Sequence, residues 1–368
     1  MSNLPQTYLE IDFSALKHNY FTIKDHIKPT TKIMAVVKSN AYGSDATSVS
    51  KYLEELGVDG FAVAYTEEGI TLRESGITKP ILVFYPQIVD FEAFVDYNLI
   101  PSAYDIDMLK SYADLSTRHQ LTSFPIHLNI NTGMNRLGFD SNQFETVKAI
   151  IEKHSVLSLS GMFSHFSAPG LDEEQAFTSG QINAFKEAVS FFKSIGDNNF
   201  ITHLSNSSGL IHYKEADMDM IRVGITLFGY GKNSSDTKLK PISTLKTEII
   251  QLRWIGEGES VGYGRMFKAK TATKVATIPL GYVDGISRIF GNQNAQVLIK
   301  GQLVPIIGNV CMDTLMLDVT HIGCMKGDEV IVFGKSHPVT AFDYKGLSIP
   351  YELMCRIPKR IKRVFINK

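Results

Sequence analysis

Lys38 directly follows the apolar run Ile33-Met34-Ala35-Val36-Val37 and precedes the polar turn Ser39-Asn40-Ala41-Tyr42-Gly43. A short, unbroken, β-branched run reads as a strand buried on both faces. The lysine therefore arrives at a C-terminal strand edge, where parallel α/β proteins place their chemistry. Other polar residues follow apolar runs in the same way. Asn131-Thr132-Gly133-Met134-Asn135-Arg136 comes after the run from Ile126, and Ser164-His165 after that from Leu159. His203-Leu204-Ser205-Asn206-Ser207-Ser208-Gly209 ends the run at Ile201, and Arg222-Val223-Gly224-Ile225 the run at Ile221. The Ser207 hydroxyl and the Gly224 backbone are suited to hold a phosphate. Phosphate donors beside a strand-end lysine point to pyridoxal 5′-phosphate bound to Lys38 as a Schiff base. Taken singly, Lys38 reads as a surface cation, Ser207 and Gly224 as loop residues, and His165 as a core histidine. Their joint placement carries the reading.

That placement requires a barrel. Strand-like runs begin near Lys32, Gly60, Pro80, Ile100, Ile126, Leu159, Ile201 and Ile221, spaced by about 27 residues, the repeat of a (β/α)8 barrel. An opening strand, Tyr8 to Phe13, leads into a helix capped by Asp12 or Ser14, with Leu16, Tyr20, Ile23 and Ile27 on one face. A second helix starts at Thr66 as capping residue with Glu67 and Glu68 in its first turn. A third, Gln175 to Ile195, spaces Phe177, Ile182, Phe185, Val189 and Phe192 helically. A doubly wound sheet is the weaker choice, since no Gly-rich nucleotide turn follows the first strand.

After Gly231 the pattern changes. Asn233-Ser234-Ser235-Asp236-Thr237 suits a linker. Alternating strands follow at Leu245 to Leu252, Thr273 to Ile278, Ala295 to Ile299, Val304 to Ile307, Thr314 to Val319 and Glu329 to Phe333. The expected division is a barrel over 1–232 and a mostly-β domain over 233–368, with the option that the first strand, within about 1–13, joins the β domain.

The composition excludes some functions. Thirty-seven basic residues balance 38 acidic ones, so no long-range field draws in a nucleic acid, and no apolar run approaches a membrane span. The basic cluster Arg356 to Arg363 reads as a solvated edge strand. Cys311, Cys324 and Cys355 are too few and scattered for a disulfide framework and indicate a reducing cytoplasm. The N-terminus carries no export pattern.

Seven segments then resemble one family over essentially the whole chain. They are Ala35-Val36-Val37-Lys38-Ser39-Asn40-Ala41-Tyr42-Gly43, Asn131-Thr132-Gly133-Met134-Asn135-Arg136-Leu137-Gly138, Ser205-Asn206-Ser207, Arg222-Val223-Gly224-Ile225, Val261-Gly262-Tyr263-Gly264-Arg265, Gly281-Tyr282-Val283-Asp284-Gly285 and Cys311-Met312-Asp313. The family is alanine racemase, among the fold-type III pyridoxal-phosphate enzymes. The resemblance implies a homodimer with shared sites that interconverts L- and D-alanine, supplying D-alanine for peptidoglycan. Lys38 would carry the cofactor and act as base on one face of Cα. Tyr263 of the other subunit would be the base on the opposite face, with that subunit's Met312 near the substrate carboxylate. Arg222 would donate to the pyridine nitrogen, and Arg136 would contact the phenolic oxygen and the carboxylate. Tyr42, Ser207, Gly224, Ile225 and Tyr351 would hold the phosphate, with Asn206 alongside.

The chemistry agrees with those roles. Racemisation removes a proton from one face and returns it to the other, so two bases are needed. Lys and Tyr both titrate near about 10 when free, so burial and cationic neighbours, with His165 and Arg136 as candidates, must favour their neutral or anionic forms. A guanidinium at the ring nitrogen leaves that nitrogen unprotonated, which weakens the electron sink and disfavours transamination.

Two departures stand out. Many relatives have a carbamylated lysine where this chain has Asn129, so Arg136 lacks an anionic partner and a chloride between Asn129 and Arg136 is expected. The entrance arginine, here Arg288, has only Asp172 as a nearby-loop acid, with Tyr282 as an entrance residue. Competing readings are a serine racemase, a pyridoxal-phosphate decarboxylase, a non-catalytic cofactor carrier, and a barrel with a lectin-like β domain and no cofactor. Decarboxylases pair the ring nitrogen with a carboxylate where Arg222 stands here, and carriers lack the β domain.

Overall fold

The computed structural model describes residues 6–194, 199–231, 238–342 and 349–368. The expected linker Asn233 to Thr237 and the helix end at Ile195 lie outside the described residues.

Strand β1 (Tyr8–Asp12) runs straight into the helix Phe13–His26. Of the two cap candidates Asp12 acts: its carboxylate accepts from the N–H groups of Ser14 (2.9 Å) and Ala15 (3.2 Å). Eight parallel strands follow. They are β2 (Lys32–Val36), β3 (Gly60–Val63), β4 (Ile81–Val83), β5 (Ile100–Ala103), β6 (Phe124–Asn129), β7 (Leu157–Phe163), β8 (Ile201–His203) and β9 (Met220–Val223). They hydrogen-bond in the order β8-β7-β6-β5-β4-β3-β2-β9, a nearly closed barrel. The seam between β8 and β9 is bridged by Asp219 N–H to Thr202 O (3.1 Å) and Arg222 N–H to Ser205 O (3.0 Å). The Asp219 carboxylate also accepts from the Thr202 amide (2.9 Å) and hydroxyl (2.6 Å).

The rest of the chain is mostly β. Its large sheet has nine strands, and β1 lies between Ser243–Glu248, antiparallel, and Lys362–Ile366, parallel. Four sequence expectations are corrected here. The single strand Leu245 to Leu252 is two, Ser243–Glu248 and Gln251–Ile255, because the chain changes partners between them: Ile249 N–H bonds to Asp328 O and Ile250 N–H to Thr277 O. Thr66 is not the cap of its helix. Glu68 reaches back to the amides of Ala64 (2.8 Å) and Tyr65 (3.3 Å). Phe177 is 41% exposed rather than part of its helix's buried face.

The fourth correction concerns the basic cluster, which is a solvated edge strand only in part: it runs into the edge strand Lys362–Ile366 with Lys362 exposed, but two of its arginines are tied into the fold. Arg360 pairs with Asp284 and Asp313, both at 2.7 Å. The half-buried Arg363 donates to the carbonyls of Gly43, Ile357, Pro358 and Ile361.

The Gly43 contact matters because of what precedes it. Ser39, Asn40, Ala41 and Tyr42 all have φ of 52–54°, a left-handed helical turn. Left-handed conformation costs an L-residue about 1–2 kcal/mol, so such runs are rare. This one is held by Ala41 N–H to Val37 O (2.8 Å) and Gly43 N–H to Ser39 O (3.0 Å). Glu68 accepts from the Ser39 amide (2.6 Å), and the Asn40 side chain accepts from the Ala46 amide (2.9 Å). Gly43 closes the turn at φ 82°, and a Cβ there would strike the Met354 carbonyl of the C-terminal helix Pro350–Cys355. Gly43→Ala should therefore destabilise the fold by at least about 1–2 kcal/mol. A melting temperature unchanged from that of the native chain would contradict this account of the turn.

Candidate active site

The C-terminal ends of the barrel strands surround a cleft of about 260 Å³ lined by Lys38, Tyr42, Arg136, His165, Asn206, Ser207, Arg222, Gly224, Ile225 and Tyr351, and by Asn129. Ten of the twelve sequence candidates thus converge. The other two, Tyr263 and Met312, do not line it and are 75% and 53% exposed. Tyr263 sits in a turn between the short strands Ser260–Val261 and Phe267–Lys268, its carbonyl accepting from the Asn309 side chain (3.0 Å).

Lys38 is half-buried at the end of β2, just before the left-handed turn. Burial and the Arg136 charge push its amine below the usual lysine range, with Glu68 and Cys355 opposing. The turn also buries Tyr42, whose ring packs against Phe228 (4.7 Å) and Tyr351 (5.9 Å). Burial drives the Tyr42 hydroxyl pKa upward, so it stays a proton donor.

Arg222 is the electrostatic centre. It is 2% exposed, and burial lowers its guanidinium to about 9, still protonated at neutral pH. No carboxylate meets it among the described residues. It donates instead to the carbonyls of His203 (2.6 Å), Ser164 (2.6 Å) and Leu204 (3.3 Å), and lies 5.3 Å from the Phe163 ring centroid. Two imidazole nitrogens also face it, His203 Nδ1 at 3.0 Å and His165 Nδ1 at 3.3 Å. Its Nε–H has no partner among the described residues, and the residue lines the cleft.

His165 corrects an expectation. Burial and the charges of Arg222, Arg136 and Lys38 lower it to about 3, so it is a neutral ring and not a cation. Arg222 and the Asn206 amide nitrogen (3.4 Å) flank it. A neutral imidazole has one lone pair, so only one of these two long contacts is a hydrogen bond.

At the phosphate-like end, Gly224 N–H donates to Ser207 Oγ (3.0 Å), which also meets Thr226 Oγ1 (3.1 Å). The Gly224 amide is therefore spent on positioning Ser207 rather than open to a ligand. The N–H groups of Ser207 and Ile225 have no partner among the described residues. A Cβ on Gly224 would strike the Tyr42 hydroxyl, so the glycine keeps this corner open. Open amides, a hydroxyl and a buried phenol fit a phosphate, and the free Arg222 Nε–H fits a ring acceptor.

Sequence reasoning missed two residues that shape the site. Glu68 holds the Ser39 amide, although its position in the sequence advertised only an acidic first turn of a helix. Gln181, buried in the helix Gln175–Lys193, donates to His165 O (3.1 Å) and Thr132 Oγ1 (3.2 Å) and accepts from Ser167 N–H (3.1 Å). A lone amide on an apolar helix face was its only signal. Arg288 and Asp172 form no ion pair among the described residues. Arg136 likewise has no acid partner there, and Asn129 lies on the same cleft.

Residues 11–232 match the family model for the alanine racemase N-terminal domain, and residues 242–365 that for the alanine racemase C-terminal domain. The chain belongs to the alanine racemase family. It is 36% identical to alanine racemase 2 of Caldanaerobacter subterraneus subsp. tengcongensis, over 98% of this chain and 95% of that one. To the alanine racemase of Thermodesulfovibrio yellowstonii it is 37% identical, over 97% of each chain. Among solved structures, the alanine racemase of Clostridium difficile superposes with a TM-score of 0.93 at 31% identity, covering 99% of this chain and 97% of that one. The Bacillus anthracis alanine racemase with bound L-Ala-P gives 0.92 at 28% identity, covering 100% and 96%.

This racemase-family site predicts acid sensitivity. Burial holds His127 and His165 at about 3 and His203 well below the free value of 6.5, so these three rings bind more protons in the unfolded chain than in the folded one below pH 6.5. Their depressed values cost no stability above pH 6.5 and an increasing amount as the pH falls from there toward about 3. Unfolding near pH 5 should take up about three protons from these rings. A melting temperature independent of pH between 6.5 and 4.5 would contradict the assignment.

Proposed function

We propose that this chain is a cytoplasmic alanine racemase that interconverts L- and D-alanine with pyridoxal 5′-phosphate, as a homodimer with shared sites, and so supplies D-alanine for peptidoglycan. The observation that carries the reading is the convergence of Lys38, the free Arg222 Nε–H and the open amides of Ser207 and Ile225 on one cleft, in a chain of this family.

When bound, the cofactor supplies a covalent attachment for the amino group and a conjugated ring that takes up the charge left at Cα. The remaining work is done by side chains. Ser207, Ile225 and Tyr42 bind the phosphate, with Asn206, Gly224 and Tyr351 shaping that end. Arg222 donates to the ring nitrogen. It stays protonated without a carboxylate beside it, and so keeps that nitrogen without a proton. Lys38, with its charged form disfavoured by burial and Arg136, moves the proton on one face. Tyr263 of the partner subunit moves it on the other. Its exposure in the single chain, with that of Met312, leaves both available to a second copy. Arg136 orients the substrate carboxylate.

Purified protein should show a visible absorption band that borohydride abolishes, and chiral chromatography should show L-Ala racemised faster than L-Ser or L-Lys. Lys38→Ala should keep the far-UV circular dichroism, lose the band, and lose racemisation by about a thousandfold or more. Full activity in that variant would refute the proposal.

At Arg136 we propose a chloride, held with Asn129 in place of the anionic partner that the described residues lack. Exchanging chloride for acetate should lower activity several-fold, with restoration by bromide. Indifference to halide would remove the anion from the account.

A further inference from the structure

We propose that His127 is a positioning residue that fixes the tautomer of His203 and, through it, the orientation of Arg222. The three groups form a file inside the barrel, His127 Nδ1 to His203 Nε2 at 3.0 Å and His203 Nδ1 to Arg222 Nη1 at 3.0 Å. A guanidinium only donates, so His203 Nδ1 must present its lone pair and its Nε2 must carry the proton. That proton is buried and needs an acceptor, and His127 Nδ1 lies within hydrogen-bond distance of it. The file therefore has one self-consistent protonation pattern, both rings neutral and both carrying their proton on Nε2.

The packing holds this pattern in place. His127 and His203 are 4% and 0% exposed, and Phe163 stacks on the His203 ring at 5.2 Å and 10°. Gly161 of β7 faces His127 so closely that a Cβ would strike the imidazole, so the strand makes room for the ring. Burial and the Arg222 charge favour the neutral form of both rings, in agreement with the pattern. Arg222 Nη1 also bonds to His203 O, so the ring and the carbonyl of one residue grip one guanidinium nitrogen. Without His127, the buried His203 Nε2–H loses its partner. The alternative tautomer would relieve it only by turning an N–H against Arg222.

The consequence for turnover rests on the racemase reading, whereas the tautomer does not. In histidine-15N-labelled protein, long-range 1H–15N NMR should show both rings neutral with bare Nδ1. His127→Asn, whose side-chain oxygen falls near the place of Nδ1, should preserve the His203 tautomer. His127→Leu should abolish it. The Leu variant should lose kcat about tenfold, the weight of one hydrogen bond, with KM within about twofold, and the Asn variant should recover to within about threefold. A wild-type His203 protonated on Nδ1, or Asn and Leu variants that behave alike, would overturn the proposal. If His127→Leu does not fold, the wild-type tautomer and the Asn spectrum decide it. Wild-type protein with the expected tautomers but no racemisation would sink the racemase reading and leave the positioning role standing.

Discussion

Four consecutive residues in left-handed conformation, Ser39 to Tyr42, are the constraint around which the cleft is built. The turn aims two groups at once. Lys38 leaves β2 just before it, and Tyr42 ends it with its hydroxyl against Gly224. Such backbone persists only when its surroundings over-determine it. Here Glu68 comes from one barrel unit, while the Met354 carbonyl and Arg363 come from the far end of the chain. The barrel's chemistry therefore depends on contacts supplied by the β-rich part, and β1, which belongs to that part's sheet, leads straight into the first barrel helix.

Arg222 imposes a second constraint of a different kind. A buried cation is usually matched by a carboxylate, because an unpaired charge in a low dielectric is costly. This one is solvated by three carbonyls, two neutral imidazoles and an aromatic face. Neutral acceptors stabilise the guanidinium without cancelling its net charge, so the site keeps a positive charge beside the cleft. Burial first, and the Arg222 charge second, keep His165 and His203 neutral. The histidines can therefore serve as acceptors and props, which agrees with the proposal that Lys38 and Tyr263 carry the protons.

The β-rich part treats its aromatic residues unequally. Tyr351 rides the helix Pro350–Cys355 into the chain's own cleft, where it packs on Tyr42. Tyr263 stands on a turn with most of its surface in water. Exposed aromatic residues carry a desolvation incentive to find a partner surface.

Much of this was legible in the residues alone. Eight apolar runs at an even spacing specified the barrel, since a strand buried on both faces must be apolar throughout, and every run lies within two residues of an observed strand start. Lys38, Arg136, His165, Ser207 and Arg222 could be gathered because strand ends in a parallel barrel share one rim. Strand limits at Ile249 were not legible, because a change of partner leaves no mark on local alternation. Nor were the grip of Arg363 on Gly43, the left-handed turn, the Gln181 prop or the His127–His203–Arg222 file. The sequence determined which residue types stand at the rim, because that follows from local periodicity. Only the tertiary structure decided their charge states and aim, because both depend on groups that are near in space and far apart along the chain.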